Sequence, residues 1–324
     1  MIKILVDMKK NRLVKWITLV NVFLFSIMVY AFGGNNEEKK TISININGSK
    51  FVLPIVEKWI SEYKKEHSGI TFQIENQSNK KVALSIIVSH LEEGELQSQA
   101  IVFAGRYALL PITNPKNPLL NNTKKGLNRK EVKTILFEKD ILDDEDYNEE
   151  KKSKYETNVY SRIDKQGGAS TTLANYFDTN LSNIKGKKIL GDEIYILNEI
   201  KKDSIGFAYN SLNYIYNLQT RDLKPELSLV PLNIKSKQKD VLYFSKIDEV
   251  ITLLENEEIN LVPVESFGFI IEEKNSWEII SFLKWILLNG QKYNNEFGFL
   301  KLDDKTFASQ KNKVEDNKLL STLN

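Results

Sequence analysis

The amino-acid sequence predicts an α/β fold with largely parallel sheets. Short apolar runs with a two-residue period are repeatedly followed by segments with helical spacing, and Gly, Ser or Asn stands at several of the junctions. The length of 324 residues is enough for two domains with cores of their own. Both observations favour helices packed on sheets, with room for more than one such unit.

The first strand, turn and helix are predicted at the start of the folded region. Three isoleucines alternate with polar residues over 42–46, which is the pattern of a half-buried strand. Gly48 ends that pattern, and apolar residues at helical spacing follow over 51–63. Pro54 falls in the first turn of this helix, where its missing N–H costs no hydrogen bond. Ser49 is the expected N-cap.

The alternation continues through the middle of the chain. Strands are predicted at the apolar runs 70–74, 84–88 and 107–112. Asn128 and Glu131 have the spacing of a capping box, so a helix is expected to begin there. The next predicted elements are strand 158–161, helix 170–177, strand 187–190, helix 193–201 and strand 205–209. Strands separated by single helices are typical of parallel sheets.

The last third of the chain is expected to add strands and two helices. The strands are predicted near 227–232 and at 261–264, and the apolar segment 267–271 follows the second of them. One helix covers 247–254 and is expected to be capped by Ser245. The other, 277–289, is strongly apolar and ends at Gly290. It contains two charged residues and is too short to cross a membrane, so we expect it in the core.

The composition is that of a globular protein and excludes several kinds of site. Hydrophobic residues make up 41% and charged residues 27% of the chain. Lys and Arg number 45 against 43 Asp and Glu, so the net charge of +2 predicts no nucleic-acid partner. The chain has no cysteine, which excludes disulfides, a thiolate nucleophile, cysteine-based metal sites and a lipoprotein acceptor.

The N-terminal residues predict export. Residues 1–31 have the layout of a signal peptide, because Lys and Arg precede the apolar run 16–31, which ends in residues suited to a signal peptidase. An uncleaved anchor is the alternative, although the run is short for a span of ~20 apolar residues. Residues 32–40 form a polar linker, and the charged run at 138–152 is predicted to be an exposed acidic insertion.

The segment 158–177, NVYSRIDKQGGASTTLANYF, is the strongest candidate for a binding site. Its strand ends near Arg162, a turn contains Gly167-Gly168, and a helix is expected to open at Ala169-Ser170. The N–H groups of a helix start, with hydroxyls and a guanidinium nearby, form a socket for a small anion. A turn that only reverses the chain is the plainer interpretation of the same residues.

A second strand-to-helix turn rich in donors lies at Gly48-Ser49. In an open α/β sheet both turns would lie at the carboxyl ends of strands, where ligands bind. An anion could then be clamped between them, with Arg162 adding a charge-assisted contact. The alternatives are an ordinary N-cap for Ser49 and a surface ion pair with Asp164 for the arginine.

No pattern of residues indicates catalysis. His67 and His90 are the only histidines, and motifs for metalloproteases, serine hydrolases, nucleoside triphosphates and dinucleotides are missing from the sequence. The carboxylates cluster in solvated runs and no pair is marked for acid–base chemistry. We therefore expect no enzyme activity, no cofactor and no metal site.

Six segments, taken in order along the chain, carry a resemblance to a known family. They are ISININGSKFVLPIVEKWISEYKKEHSGITFQI, YALLPITNPKNPL, LNRKEVKTILFEKD, NVYSRIDKQGGASTTLANYF, IKGKKILGDEIYILNEIKKDSIGFAYNSLNYI and FLKWILLNGQKYNNEFGFLKL. The sequence with these segments resembles the substrate-binding proteins of phosphate-type ABC transporters. This resemblance implies the two-lobed periplasmic-binding-protein (flytrap) fold, in which each lobe has a central, mostly parallel sheet flanked by helices.

The resemblance also implies how the chain divides into lobes. Lobe one is expected to comprise 41–110 and 226–324, and lobe two 111–225 with the acidic insertion. Hinge crossings are expected near 106–111 and 224–232.

In such proteins hydroxyls and amides of three loops hold the ligand together with an arginine. By position, the resemblance assigns ligand contacts to Ser49, Ser89, His90, Arg162, Gly168, Ala169 and Ser170. Ser49 matches the first-loop hydroxyl, Arg162 the arginine, and Ser89 the second-loop serine that a polar residue follows. The other three match the donors at the helix start.

The sequence departs from the family at two places. The glycine-rich loop after the second strand is missing, and ENQSNKKVALS stands there. The second loop has no carboxylate to accept the proton of hydrogen phosphate, a part that His90 or Asp164 could play. The resemblance implies phosphate as the ligand. A sulfate-like or molybdate-like anion, or a ligand that is not an oxyanion, is the alternative.

We therefore expect an exported monomer that captures a small oxyanion between two lobes and delivers it to ABC permease subunits in the inner membrane. We expect it to catalyse no reaction. Two alternatives belong to other classes. One is a sensor or structural protein that keeps the fold without the anion site. The other is an exported phosphoester hydrolase, which the missing nucleophile–base pair disfavours.

Overall fold

The computed structural model describes residues 42–74, 81–88, 100–123, 125–138, 154–163, 168–273 and 276–315. Its contacts divide the chain into Met1–Ile42 and Ser43–Asn324, and the described elements belong to the second unit, apart from Ile42 at the start of the first strand. The predicted signal peptide, the linker and almost all of the acidic insertion lie outside the described residues.

Nine strands form one mixed sheet within the described residues. They are β1 (Ile42–Gly48), β2 (Ile70–Ile74), β3 (Leu84–Ile87), β4 (Ile101–Thr113), β5 (Asn158–Ile163), β6 (Lys187–Leu190), β7 (Gly206–Ser211), β8 (Ser228–Leu229) and β9 (Val264–Ile271). Their order across the sheet is β2-β1-β3-β9-β4-β7-β5-β6, and β8 pairs with β4. The prediction of an α/β fold is confirmed.

The long strand β4 joins the two ends of this sheet. From Ile101 to Ala108 it runs antiparallel to β9, and from Leu109 to Thr113 it runs antiparallel to β7. Parallel pairs occur on either side, between β1 and β3 and between β5 and both β6 and β7. The sheet is thus less parallel than its helix–strand alternation predicts, because β4 and β9 cross its centre in antiparallel pairing, which needs no intervening helix.

Ten α-helices accompany the sheet in the described part of the chain. They are α1 (Leu53–Glu66), α2 (Leu119–Asn122), α3 (Arg129–Leu136), α4 (Ala169–Tyr176), α5 (Ile194–Lys202), α6 (Leu212–Ile215), α7 (Ser236–Phe244), α8 (Ile247–Asn256), α9 (Trp277–Trp285) and α10 (Asp304–Glu315). Helix α9 continues through a π-helical turn, Ile286–Gly290. None of these helices is long and apolar enough to span a membrane.

Helices α1 and α3 form as their sequences predict. Pro54 lies in the first turn of α1, and the apolar face of that helix is buried in the core. Within that face, Trp59 donates from Nε1 to the carbonyl of Gly290 at 3.0 Å. Asn128 and Glu131 form the predicted capping box at the start of α3, which satisfies two N–H groups at that end.

Several predicted boundaries differ from the structure. The strand expected at 261–264 begins only at Val264, because Leu261 has a φ of 71°, which no strand accommodates. The N-cap of helix α8 is Lys246, which makes no side-chain capping bond. The prediction that Ser245 caps this helix is therefore wrong. Helix α10 escapes prediction because its sequence is polar and few of its side chains are buried.

Candidate functional site

One pocket lies where the chain leaves β1 and β5 and where α4 begins. Its walls include four of the predicted residues, Ser49, Arg162, Gly168 and Ala169. The two strand-to-helix turns recognised in the sequence therefore meet at one place, as the rule for open α/β sheets predicts. Contact of these residues with a ligand stays a prediction.

Arg162 supplies the positive charge of the pocket. It lies in β5 opposite Ile189 of β6, and its side chain is 18% exposed. Its Nη1 is 3.7 Å from Oε1 of Glu193, whose side chain is only 5% exposed. The alternative of a surface ion pair thus does not describe this contact, because both groups of this pair line the pocket. Asp164 lies outside the described residues.

Glu193 is a residue of the pocket that sequence reasoning missed. It precedes the first residue of α5 and is buried beside the start of α4, since a Cβ added to Gly168 would lie 3.8 Å from its Oε1. Both the guanidinium of Arg162 and the start of a helix attract negative charge. In the sequence, GDEI indicated only an acidic residue near a helix start, and nothing placed that start beside β5.

The start of α4 depends on a glycine. Gly168 has φ 137° and ψ −161°, a conformation that side-chain-bearing residues adopt only at a cost. The first intrahelical bond runs from the N–H of Thr172 to the carbonyl of Gly168 at 3.0 Å. The first N–H groups of a helix have no partner within it, so this end offers donors to an anion.

The hydroxyl of Ser170 joins the start of α4 to β5, and contact of this residue with a ligand stays a prediction. Its hydroxyl is buried and donates to the carbonyl of Arg162 at 2.7 Å. This bond fixes the end of β5 to the first turn of α4. A contact between a ligand and Ser170 would in this arrangement involve the backbone N–H.

Ser49 enters the pocket from the opposite turn. It caps a short 3₁₀ turn, and its Oγ accepts from the N–H of Phe51 at 3.3 Å. Gly48 has φ 131°, and a Cβ there would lie 2.6 Å from the carbonyl oxygen of Ile86. Only glycine therefore lets β1 approach β3 closely enough to turn at this point. Ser49 is therefore an N-cap, but of the 3₁₀ turn before α1 and not of α1 itself, whose N-cap is Val52. This capping does not exclude a place in the pocket.

Aromatic and polar side chains complete the walls. Tyr107 is buried, donates to the carbonyl of Val88 at 2.8 Å, and packs edge-on against Phe51 with ring centroids 5.1 Å apart. Burial raises the pKa of Tyr107, so its phenol stays protonated. Asn210 donates from Nδ2 to the carbonyl of Glu193 at 3.3 Å and accepts at Oδ1 from the N–H of Ser211.

The space left between these walls is small. Its volume is about 10 Å³, which is room for about one water molecule. An inorganic oxyanion has five heavy atoms, so its entry requires the walls to move apart. The walls come from both ends of the sheet, and a relative movement of these ends would enlarge the pocket.

Two predicted residues are not placed by the structure. Ser89 and His90 lie outside the described residues, and Val88, the last described residue before them, lines the pocket. Among the described residues no group of three His, Asp or Glu side chains is arranged to hold a metal ion.

Comparisons with known proteins identify the fold. No protein-family model and no curated protein matches the chain. A solved structure from Clostridium perfringens, provisionally named a phosphate ABC transporter substrate-binding protein and containing phosphate, is 16% identical with a TM-score of 0.54. The match covers 81% of this chain and 100% of that one.

Two further solved structures match in the same way. An ABC-type phosphate transport receptor from Vibrio cholerae is 13% identical with a TM-score of 0.52, over 80% of this chain and 100% of that one. A possible phosphate-binding protein from Planctomyces limnophilus is 12% identical with a TM-score of 0.50, over 85% of this chain and 98% of that one. The chain therefore has the α/β fold of two-lobed periplasmic binding proteins, as its sequence resemblance implied. The boundaries of its lobes stay predictions.

Proposed function

We propose that this protein is an exported solute-binding protein that captures a small oxyanion, phosphate in the first place, and delivers it to the permease of an ABC transporter. The observation that carries the proposal is the pocket in which Arg162, the start of α4 and Ser49 converge. A guanidinium, helix N–H groups and a hydroxyl can together replace the water around an anion. The names of the three similar structures agree with this choice of ligand.

Binding in this proposal includes a hinge movement. The pairing of β4 passes from β9 to β7 between Ala108 and Leu109, which supports a hinge within the predicted crossing at 106–111. A ligand that touches both ends of the sheet favours the closed arrangement because its contacts are complete only there. The closed form would then dock on membrane permease subunits as a monomer, after export directed by residues 1–31.

Glu193 supports a protonated oxyanion as the ligand. Its carboxylate lies in the pocket and is an acceptor of hydrogen bonds. The hydroxyl of hydrogen phosphate can donate a hydrogen bond to such a group. Sulfate and molybdate have no proton to donate and would bring only negative charge against the carboxylate. Glu193, which precedes α5, would in this way take the place of the carboxylate that the second loop lacks.

Calorimetric titration of the purified chain with phosphate, sulfate and molybdate tests the proposal. We expect saturable heat with phosphate, loss of that heat in Arg162→Ala, and little change in Arg129→Ala. Arg129 is a matched control because its guanidinium lies on α3 and bonds to Tyr176 and Asp178, outside the pocket. Absence of heat with all three anions would overturn oxyanion binding, and turnover of a phosphoester would favour the hydrolase.

A further inference from the structure

A second cavity adjoins the pocket at Arg162. It shares Arg162, Gly168, Ala169 and Glu193 with the pocket, so the two spaces meet at the proposed anion site. Its remaining described walls, which define the side chamber, are Ser161, Ser170, Thr171, Leu181, Ile184 and Lys188. Its volume of about 70 Å³ compares with about 10 Å³ for the pocket.

Lys188 brings a second positive charge to the side chamber. It pairs with Ser161 across β5 and β6, and its Nζ donates to the hydroxyl of Ser161 at 3.2 Å and to the carbonyl of Ile184. The residue is exposed as a whole, so the chamber is accessible from solvent on this side. An ammonium held against two acceptors is positioned to meet an acidic group that enters the chamber.

Part of the wall of the side chamber is apolar. Ile184 is buried and Leu181 is 42% exposed, and both side chains line the space. Neither offers a polar group to a bare tetrahedral anion. A short carbon-containing body would instead cover part of their apolar surface, which is favourable in water.

The charges of the pocket and of the side chamber together favour a ligand with two acidic groups. In the pocket, Glu193 offsets part of the charge of Arg162, so a ligand that also reaches a second cation gains further attraction. Lys188 restores one positive charge, but in the chamber and not in the pocket. A ligand uses both cations only if it carries two acidic groups separated by a small spacer.

We infer that the ligand is a substituted oxyanion, a phosphonate or phosphate monoester with a short organic body and a second acidic group. Its tetrahedral group lies at Arg162 and the start of α4, its body lies against Leu181 and Ile184, and its second acid meets Lys188. This inference rests on the proposed oxyanion function and narrows the class of its ligand.

Titration with three ligands tests the inference in the purified chain. Inorganic phosphate fills the pocket alone, methylphosphonate adds only a methyl group, and phosphonoacetate adds a carboxylate on a one-carbon spacer. We expect phosphonoacetate to bind up to about fivefold more tightly than either of the others, because one accessible ion pair can supply a gain of that size.

Variants of one lysine separate the chamber from the pocket. Lys188→Met should remove the advantage of phosphonoacetate and leave phosphate affinity unchanged, and Lys188→Arg should keep the advantage. Lys187→Met is the matched control, because the Nζ of Lys187 pairs with Glu199 at 2.6 Å and does not line the chamber. If Lys188→Met does not fold, Lys188→Arg still tests the inference.

The outcomes distinguish this inference from the function on which it rests. Phosphate binding that depends on Arg162, without a gain for phosphonoacetate, would overturn the inference alone. Equal losses of phosphate and phosphonoacetate in Lys188→Met would also overturn it. Absence of binding by all three ligands would overturn the proposed function together with the inference.

Discussion

The phenol oxygen of Tyr107 lies 2.7 Å from Oγ1 of Thr172. Tyr107 belongs to the part of β4 that pairs with β9, whereas Thr172 lies in the first turns of α4. Because the phenol donates to the carbonyl of Val88, the threonine hydroxyl is the donor toward Tyr107. One buried network therefore ties the central strands of the sheet to the helix that opens the candidate site.

Tyr107→Phe is expected to lower the free energy of unfolding by about 1–3 kcal/mol, because it leaves the buried hydroxyl of Thr172 and the buried carbonyl of Val88 without their partner. The ring and its packing on Phe51 are kept. Urea unfolding followed by tryptophan fluorescence measures the change. Tyr195→Phe is the control, since Tyr195 is 50% exposed and should lose almost nothing. Equal stability of the two variants would show that the network is not a stabilising one.

Ser170→Ala is expected to act on both stability and binding. Removal of its bond to the carbonyl of Arg162 should cost about 0.5–1.5 kcal/mol of unfolding free energy. Since that bond holds the end of β5, phosphate affinity should fall as well. Unfolding and calorimetric titration of the same sample measure both effects.

A direct contact between the Ser170 hydroxyl and the ligand would give a different result. Affinity would then fall while stability stayed unchanged, and the bond to Arg162 would not be the relevant one. Ser182→Ala serves as the control, because its hydroxyl is exposed and bonds only within its own turn.

Glu193→Gln is expected to invert the selectivity of the pocket. The amide removes a negative charge and adds a donor, so affinity for sulfate and molybdate should rise and affinity for hydrogen phosphate should fall, each by about tenfold. Competitive titration at neutral pH measures the ratio. Glu199→Gln, on the same helix but paired with Lys187, should leave the ratio as it is. An unchanged ratio in Glu193→Gln would show that this carboxylate does not face the ligand.

Local sequence signals predicted those parts of the fold that depend on neighbouring residues. The alternating isoleucines of β1, the glycine that ends it and the capping box of α3 are all satisfied within a few residues. Four of the proposed site residues line the pocket, and they lie at or beside the two turns that glycine and serine marked in the sequence between a strand and a helix. Such turns can be recognised without knowing what packs against them.

The remaining features depend on which elements become neighbours in space. Glu193 belongs to the site because β5 pairs with both β6 and β7, which brings the start of α5 beside that of α4. The antiparallel centre of the sheet depends on β4 and β9, which are far apart in sequence. Two such contacts hold helix α10. The N–H of Phe103 donates to Oε1 of Gln310, and Nζ of Lys313 donates to the carbonyl of Ile101. No local pattern reports pairings of this kind.

We expect the charge of Lys188 to make binding of phosphonoacetate dependent on pH. Desolvation of the ammonium lowers the pKa of Lys188, and Glu138 opposes this shift without cancelling it. A lysine is charged below its pKa, so the attraction to the second acidic group is complete at neutral pH and is lost as the pH rises through the lowered pKa. The loss should therefore begin below the usual lysine value of about 10.4.

Comparison with Lys188→Arg isolates this titration. The guanidinium stays charged over the whole range, and ionisation of the ligand affects both proteins equally. The other charged residues that line the side chamber in the described structure, Arg162 and Glu193, are common to both. We expect the ratio of wild-type to Lys188→Arg affinity for phosphonoacetate, measured by calorimetry from pH 7 upward, to fall with rising pH. A ratio that stays constant would mean that Lys188 does not contact the second acidic group, because loss of its charge would then cost the complex nothing.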